Sequence, residues 1–345
     1  MKVLHVISGL RGGGAEHFVL ELCRESLNDK EADFSVLSLS AADEISYKFR
    51  DAGIRVISAS SSQRTKRGIK AFRAFRILLK QRQTVLHAHM FHACIIACFA
   101  KLLRPSNRII FTLHNNHIPQ LHRRLLLFLT RPLRKTDIIF PYMKRKWFQK
   151  SNAVTISNGI DVSRFNPLHI DKPPLFTCAF IGRLSEEKNP LLLVKLAKSL
   201  LPGRNFIFRV AGEGPQRKLL EQAIKEERVE DHFMVHGYVE DIPALLAESH
   251  CLLIPSTWEG MPLVLLEAGA AGIPVIATPV GNIPSILNKD NGYVGSFETF
   301  RSMITEVMDN YGEALIKARK LMHDVIDRYN IQQIYSEYSK VYLQP

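Results

Sequence analysis

The apolar residues of this chain fall into short β-branched or aliphatic runs, and longer stretches with helical periodicity separate them. This alternation is typical of βαβ units, and it predicts an α/β protein with parallel sheets. The first half contains the predicted strands 3–8, 34–39, 55–59, 85–88, 109–113, 138–140 and 154–156. The second half contains the predicted strands 176–181, 206–211, 233–236, 251–254 and 275–277.

The pattern is broken at Asn166-Pro167 and again at 171–174, where two prolines follow a charged pair. Such a break predicts a linker between two doubly wound domains, 1–165 and 166–325. The segment 326–345 is predicted to be a helix whose tyrosines, Tyr335, Tyr338 and Tyr342, form a packing stripe. Two domains of this kind place a ligand cleft between them, at the carboxyl ends of their strands.

Length and composition fit this organisation. The 345 residues are 46% hydrophobic and 23% charged, which is ordinary for a globular protein with real cores. The apolar run after the first methionine is too short for a signal peptide, and no stretch has the length of a membrane span. The five cysteines form no CxxC pair, so we expect buried thiols in a reducing cytoplasm.

Charge separates the two halves of the chain. Residues 1–160 contain 27 basic and 10 acidic side chains, and within 60–150 the only acid among 20 basic residues is Asp137. The asymmetry predicts that the first domain contacts a membrane surface, a nucleic acid or an anionic substrate, unless the surface is merely solvated. Two segments, 66–82 and 123–135, mix basic and apolar residues at helical spacing. We therefore expect a surface that lies on anionic lipid.

A glycine-rich loop, 9–16, follows the first strand and opens a helix. Gly12, Gly13 and Gly14 allow the backbone to approach an anion, and the helix N-terminus offers free N–H groups. The spacing is not that of nicotinamide-dinucleotide binders, and no acid ends the second strand, which argues against an oxidoreductase. A simple tight turn is the alternative.

Two loops of the second domain carry polar residues at strand ends. Arg183 and Lys188, in "GRLSEEKN", are a guanidinium fork and a point charge that suit a diphosphate, although both could instead pair with Glu186 and Glu187. The loop 212–215, "GEGP", follows the next strand and is equally placed to reach a ligand.

The stretch 256–272, "STWEGMPLVLLEAGAAG", holds two glutamates around an apolar run. Pro262 predicts the start of a helix, so Glu259 lies in the preceding loop and Glu267 more than one turn inside. The amides of Gly260 and Met261 offer an anion seat there. Alternatives are a dipole partner for Glu259 and a structural salt bridge for Glu267.

Histidines close two neighbouring strands of the first domain: His87 and His89 one, and His114 the next. Imidazole has the reference pKa best suited to proton transfer or polarisation near neutral pH. Zinc is the other possibility, but no carboxylate or cysteine lies at the usual ligand spacing. For His92, His117 and His122 we expect structural roles.

These motifs occur in a fixed order: the glycine loop, "SNGID", "GRLSEEKN", "GEGP" and "STWEG" with its second glutamate eight residues on. In this the chain resembles the retaining glycosyltransferases of family 4 over nearly its whole length. The resemblance implies the GT-B fold, two Rossmann-like domains facing across a cleft, with the C-terminal helix crossing back to the first domain. It also implies that the second domain binds a nucleotide-diphospho-sugar and the first domain an acceptor.

The resemblance implies a role for each motif residue. Arg183 and Lys188 hold the diphosphate and offset its growing charge in place of a metal. Glu259 contacts sugar hydroxyls, Glu267 the ribose, and His114 lies beside the reacting centre. The remaining expected donor contacts are Gly13, Gly14, Gly212, Glu213, Gly260, Met261, Pro262 and Leu263, and the expected acceptor contacts are Gly12, Glu16, His89 and His114.

The predicted function is therefore metal-independent transfer, with retention, of a sugar from a UDP- or GDP-sugar, with no other cofactor. The expected acceptor is lipid-linked or an oligosaccharide, as in lipopolysaccharide, capsule or glycolipid assembly, at the inner face of the cytoplasmic membrane. A GT-B epimerase and a non-catalytic lipid- or polyanion-binding relative are the alternatives. A nucleic-acid partner is not expected, because no RNP, zinc-finger or KH pattern is present.

Overall fold

The fold was analysed in a computed structural model. The structure describes residues 1–40, 44–60, 66–82, 84–114, 118, 120–141, 152–165, 172–201 and 203–344. The chain divides into two compact units: Met1–Gly159 with Ile331–Pro345, and Ile160–Asn330. The predicted linker residues 166–171 lie outside the described part of the chain.

Unit 1 is built on a parallel sheet that, within the described residues, has seven strands in the order β3-β2-β1-β4-β5-β6-β7. Its strands are β1 Lys2–Ile7, β2 Asp33–Ser38, β3 Arg55–Ser58, β4 Val85–His89, β5 Arg108–Thr112, β6 Thr136–Ile139 and β7 Ala153–Thr155. Its first helices are α1 Gly14–Ser26, α2 Ser46–Asp51, α3 Arg67–Leu79, α4 Met90–Leu103 and α5 Leu121–Leu129. The chain leaves β1 and β4 in opposite directions along the sheet, so right-handed crossovers put α1 and α4 on opposite faces.

Unit 2 contains a second parallel sheet, with the described order β10-β9-β8-β11-β12-β13. Its strands are β8 Phe176–Ile181, β9 Phe206–Ala211, β10 Phe233–Gly237, β11 Cys251–Ile254, β12 Val275–Ala277 and β13 Tyr293–Val294. Its helices are α6 Leu192–Leu200, α7 Arg217–Glu226, α8 Ile242–Ala247, α9 Leu263–Ala270, α10 Phe300–Asp309 and α11 Tyr311–Tyr329. Every strand predicted from the sequence is present, and β13, only two residues long, is the one the pattern missed.

The last helix, α12 Ile331–Leu343, belongs to unit 1 although it follows unit 2 in the chain. Tyr338 and Tyr342 are fully buried, as the predicted stripe requires. Tyr335 donates a hydrogen bond to Asp29 Oδ2 at 3.0 Å, and the Tyr342 hydroxyl lies 2.7 Å from His87 Nδ1. The fold is thus the predicted α/β arrangement of two Rossmann-like units, with the terminal helix returned to the first.

Candidate active site

The polar residues of unit 2 lie at the point in its sheet where the strand order reverses, between β8 and β11. β8 and β11 are neighbours; β9 and β10, which follow β8 in the chain, lie on one side, and β12 and β13, which follow β11, lie on the other. A crevice forms at such a switch point, outside the carboxyl ends of the strands, and ligands bind there in open α/β sheets. Arg183 follows β8, and Ser256 and Glu259 follow β11, so the predicted donor motifs meet at this edge.

Glycines bring the loops after β8 and β9 into backbone contact. A Cβ on Gly212 would lie 1.9 Å from the carbonyl oxygen of Gly182, and one on Gly214 would lie 2.2 Å from that of Leu184. The Leu184 amide donates to the Glu213 carbonyl at 2.9 Å. The absence of a side chain at Gly212 therefore allows the two loops to contact each other. The Glu213 carboxylate pairs with Arg217. The predicted donor contacts of both residues stay predictions.

The centre of the site is an ion pair between the two motif loops. Lys188 Nζ lies 2.5 Å from Glu259 Oε1, and Ser256 Oγ donates to the same oxygen at 2.7 Å. The Thr257 amide donates to the Glu187 carbonyl at 2.8 Å, which joins the loops a second time. Lys188 thus pairs with Glu259, which is 5% exposed, and not with the adjacent Glu186 or Glu187.

Two polar groups at this site are available to a ligand. Arg183 is exposed, and within the described ranges its guanidinium has no hydrogen-bond partner. Both side-chain bonds of Glu259 go to Oε1, so Oε2 is left to accept from a ligand. A guanidinium, an ammonium and a carboxylate oxygen together suit a molecule that carries both phosphate and hydroxyl groups.

Two residues that the sequence analysis missed, Gly281 and Asn282, contact the backbone of the loop that carries Glu259. The carbonyl of Gly260 accepts from the Asn282 amide at 2.9 Å and from Asn282 Nδ2 at 3.1 Å. Gly281 has φ +58°, and a Cβ there would lie 2.1 Å from the Glu259 carbonyl oxygen. The sequence alone gives no signal for these contacts, because they depend on β12 lying next to β11 in the sheet.

Helix α9 begins one residue later than predicted. Pro262 is its N-cap residue, with φ −70° and ψ 121°, and Leu263 is its first helical residue. Gly260, Met261 and Pro262 therefore precede the helix, whose free first-turn amides begin at Leu263. The anion contact expected of the Gly260 and Met261 amides stays a prediction. Glu267 is half-buried in the middle of α9, so its ribose contact stays a prediction.

The glycine loop of unit 1 carries a carboxylate at its helix start. Gly13 is the N-cap of α1, and a Cβ there would lie 2.6 Å from Glu16 Oε2. Glu16 thus folds back over Gly13, in the position from which a third-residue glutamate caps a helix. Gly12 has φ +77°, which a residue with a side chain rarely adopts. An anion at Gly13 and Gly14 would have to displace the Glu16 carboxylate.

The histidines of unit 1 form a buried chain that the sequence did not reveal. His5 Nδ1 lies 2.9 Å from His89 Nε2, and His89 Nδ1 lies 2.8 Å from His114 Nε2. His5 is opposite His87 in the register of β1 and β4, so alternation places both on one face with His89. His89, predicted to contact the acceptor, is fully buried behind His114.

The same cluster contains the donor set most suited to a metal among the described residues, His5, His87 and His89. Both ring nitrogens of His87 are engaged, by the Tyr342 hydroxyl and by Thr112 Oγ1, each at 2.7 Å. Both nitrogens of His89 are engaged by His5 and His114. The cluster is therefore satisfied mainly by its own hydrogen bonds, an arrangement of neutral imidazoles.

Burial sets the charge state of these histidines. Desolvation lowers the pKa of His5 to about 3 and that of His114 to about 4. The pKa values of His87 and His89 are lowered for the same reason, with a smaller contribution from the other histidines. Burial disfavours the charged imidazolium, so all four rings are neutral at physiological pH.

Comparison with known proteins now decides the family. Residues 161–322 match the model "Glycosyl transferases group 1", and residues 12–164 match "Glycosyltransferase Family 4". The chain belongs to the family 4 glycosyltransferases. It is a hexosyltransferase with the GT-B fold, as the motifs predicted.

His117, one of the histidines expected to be structural, lies outside the described residues.

Two curated relatives cover most of this glycosyltransferase. One is the UDP-Gal:alpha-D-GlcNAc-diphosphoundecaprenol alpha-1,3-galactosyltransferase of Escherichia coli, 23% identical over 78% of this chain and 77% of its own. The other is an alpha-1,4-N-acetyl-D-galactosaminyltransferase of Campylobacter jejuni acting on a diNAcBac-PP-undecaprenol-linked glycan, 26% identical over 84% and 83%. Among solved structures, Anabaena HepE in complex with UDP-glucose has a TM-score of 0.86 over 99% of both chains at 17% identity, a likeness of fold.

None of the helices in the described part of the glycosyltransferase combines the length and the apolar character that crossing a bilayer requires.

The neutral histidines make unit 1 sensitive to acid. As pH falls below about 6.5 the unfolded chain takes up protons that the buried rings refuse, so folding stability decreases. The loss is up to about 1.4 kcal/mol per pH unit for each histidine, and it continues until pH reaches the folded pKa, about 4 for His114 and about 3 for His5. Hydrogen exchange should show β1 and β4 losing protection between pH 6.5 and 4 faster than β8 and β9. Equal loss in both sheets would contradict this.

Gly281, which packs against the backbone carbonyl of Glu259, should be essential for activity. Gly281→Ala introduces a Cβ 2.1 Å from the Glu259 carbonyl oxygen and so must displace the loop. Since misplacement by an ångström can cost about 100-fold in rate, we expect kcat/KM to fall by about that factor. The matched control is Gly203→Ala, where φ is also positive, at +94°, but nothing lies within 4 Å of the added Cβ. Equal effects of the two substitutions would show that only backbone strain matters.

Proposed function

We propose that this glycosyltransferase transfers a sugar from a UDP- or GDP-sugar to a lipid-linked acceptor, with retention and without a metal. The observation that carries the proposal is the cluster at the switch point of unit 2. There Lys188 and Glu259 are paired at 2.5 Å and the Arg183 guanidinium is exposed. Retention follows from the family that the motifs resemble.

The charges at the site suit departure of a nucleoside diphosphate. Negative charge grows on the diphosphate as the bond to the sugar breaks, and fixed cations stabilise it without reorganisation. Arg183 binds the diphosphate as a fork, and Lys188, whose ammonium has three donors, contacts it as a point charge while it stays paired with Glu259. Glu259 then accepts from sugar hydroxyls while Ser256 keeps its position. Two fixed cations thus perform the task that a divalent metal performs elsewhere.

The acceptor class is carried by the relatives. The Escherichia coli and Campylobacter jejuni enzymes, by name, act on sugars attached to undecaprenol through a diphosphate. A lipid of this kind stays in the membrane, so an enzyme that uses it must work at the membrane surface. Unit 1, which we assign to the acceptor, should therefore have a surface that binds lipid.

Helix α5 of unit 1 supplies such a surface. Leu121, Leu125, Phe128 and Leu129 lie at i, i+4, i+7 and i+8, the stripe that a surface helix normally turns to its core. All four are instead exposed, Leu121 by 76% and Phe128 by 68%, and the buried residue of α5 is Leu127. We call these four residues the apolar face. On α4, which packs against α5, Phe99, Leu102 and Leu103 are exposed as well.

A buried ion pair fixes α5 in this orientation. Arg134 donates to Leu127 O at 2.7 Å and to Thr130 Oγ1 at 2.9 Å, at the carboxyl end of the helix. The same guanidinium binds Asp137 through two bonds of 2.6 and 2.8 Å. Asp137, the only acid of 60–150, is fully buried, so it offers no counter-charge to the basic surface around the apolar face. Anionic lipid provides an apolar environment for the apolar face and negative charge for the basic side chains around it.

Donor affinity should depend on the two cations. We expect Arg183→Ala and Lys188→Ala each to weaken binding of UDP or GDP by about 10- to 100-fold, the value of a charge-assisted hydrogen bond, and to weaken the monophosphate less. Calorimetry measures this, with exposed Lys195→Ala of α6 as the control. Transfer by the unchanged protein should persist in EDTA, and NMR of the product should show the donor's anomeric configuration.

Each alternative gives a different result. A GT-B epimerase would convert the nucleotide-sugar without an acceptor, and a non-catalytic relative would bind no nucleotide. Unchanged diphosphate affinity in both alanine variants would place the diphosphate elsewhere.

Membrane binding should require the apolar face as well as charge. We expect the protein to cosediment with phosphatidylglycerol vesicles, and Leu125→Asp with Phe128→Asp to abolish this while leaving UDP or GDP affinity unchanged. The matched control is Leu219→Asp, an exposed leucine of α7 in unit 2. No binding by the unchanged protein, or equal binding by the double variant, would refute a lipid surface on α5.

A further inference from the structure

A pocket in unit 1 lies between the carboxyl end of β3 and helix α3. Its volume is about 450 Å³, within the range of small-ligand pockets, and it is lined by Arg73, Arg76, Ile77, Lys80 and the segment 58–60. β3 is an edge strand of the described sheet and lies two strands from β1, a separation of about 10 Å. The pocket is therefore distinct from the glycine-rich loop that follows β1.

Three of the lining residues are cations without counter-ions. Arg73 and Arg76 belong to α3, Lys80 is its C-cap residue, and all three are exposed. Within the described ranges, none of their side chains makes an ion pair or a hydrogen bond. They are spaced three and four residues apart, and like charges at this spacing repel each other on a helix surface. The arrangement is therefore unfavourable until an anion binds.

No acidic side chain of α3 or of the pocket lining offsets this charge. Helix α3 contains four basic residues and no acidic residue, and the lining contains no acid either. The only acid of 60–150, Asp137, is buried against Arg134. A ligand of this pocket should therefore carry negative charge.

The three cations favour a diphosphate over a phospholipid headgroup. The phosphodiester of phosphatidylglycerol carries one negative charge, whereas a diphosphate that joins a lipid to a sugar carries two. Each guanidinium can bind two oxygens of one phosphorus as a fork, and Lys80 adds a point charge. Two linked phosphates can therefore engage all three side chains, and a single phosphodiester cannot neutralise them.

Apolar side chains beside the cations favour a ligand with a lipid chain. Ile77 lines the pocket, while Ile69 and Phe72 of α3 are 47% and 61% exposed. Ile69 lies four residues before Arg73 and Phe72 four residues before Arg76, so each neighbours an arginine on the helix surface. Inorganic diphosphate has no hydrocarbon to place against these side chains, whereas a lipid diphosphate has.

The pocket and the apolar face of α5 belong to one layer of helices, because α4 packs against both α3 and α5. Neighbouring helix axes in such a layer are about 8–10 Å apart, so α3 lies within roughly 20 Å of α5. A membrane that contacts the apolar face is therefore within reach of α3 as well. A lipid in that membrane can present its diphosphate to Arg73 and Arg76 while its chain stays in the bilayer.

We propose that Arg73, Arg76 and Lys80 bind the diphosphate that links the acceptor glycan to its lipid. The protein then has two diphosphate sites: one for the donor, at Arg183 and Lys188 in unit 2, and one for the acceptor, at α3 in unit 1. The acceptor role of the ligand rests on the proposed function, whereas the binding of a lipid diphosphate in this pocket does not.

The first experiment measures affinity for farnesyl diphosphate by calorimetry, with excess UDP to occupy the donor site. We expect Arg73→Gln with Arg76→Gln to weaken binding by about 10- to 100-fold, because the guanidinium groups make charge-assisted hydrogen bonds to the ligand. The matched control, Arg50→Gln with Arg55→Gln, removes the same charge from exposed positions of unit 1 outside the pocket lining. Equal affinities of the two paired variants, or no binding by the unchanged protein, would overturn the proposal.

Two further ligands identify the source of the phosphate. The unchanged protein should bind farnesyl diphosphate more tightly than inorganic diphosphate, and Phe72→Ala should weaken only the binding of farnesyl diphosphate. Inorganic diphosphate that bound as tightly would refute a lipid ligand. On phosphatidylglycerol vesicles, both paired variants should reduce cosedimentation equally, because only net charge matters there. If the α3 pair alone lost vesicle binding and kept its affinity for farnesyl diphosphate, the pocket would bind phospholipid and the proposal would be wrong.

Kinetics separate failure of this inference from failure of the proposed function. In the active enzyme, Arg73→Gln with Arg76→Gln should raise the KM for the acceptor and leave kcat and the KM for the donor unchanged. An unchanged acceptor KM would refute the pocket and leave the function standing. Absence of transfer by the unchanged protein would refute the function, while a loss of farnesyl diphosphate affinity confined to the α3 pair would still support the pocket.

Discussion

Parallel strand pairing is the constraint on which both units depend. Because every strand runs the same way, all carboxyl ends lie on one edge, and loops distant in sequence meet there. Ser256 and Lys188 are separated by 68 positions in the sequence, yet both contact Glu259 Oε1. The same pairing puts His5 opposite His87 in unit 1. Each polar cluster of this glycosyltransferase is therefore a consequence of register as much as of residue type.

The two units solve the problem of buried polarity differently. In unit 2, Lys188 and Ser256 both bond to one oxygen of the Glu259 carboxylate, which leaves the other oxygen for a ligand. Among the described residues of unit 1 no counter-ion is buried with the histidines, so burial keeps them neutral and they make only hydrogen bonds. A charged cluster suits a ligand that changes charge during reaction. A neutral cluster of hydrogen-bonded side chains suits the orientation of neighbouring groups.

The sequence predicted the sheets well because apolar runs and glycine-rich ends are local signals. Strands such as β8 and β11 were predicted to the residue, and Arg183, Lys188 and Glu259 were placed on the correct loops. It could not reveal the Lys188–Glu259 pair or the clamp of Asn282 on Gly260, because strand order is not readable from one sequence. His5 was overlooked for the same reason: a lone histidine in β1 gains meaning only when His87 and His89 are known to lie beside it.

The exposed apolar face of α5 poses an energetic question that the fold alone does not answer. Burying a leucine or phenylalanine contributes about 1.5–3 kcal/mol, so four exposed side chains at core spacing forgo a large part of a domain's usual net stability. Arg134, held by Asp137 and bonded to Leu127 O and Thr130 Oγ1, fixes α5 in the orientation that exposes them. The proposed contact with a bilayer gives this stripe an apolar environment while Arg134 keeps α5 in its orientation.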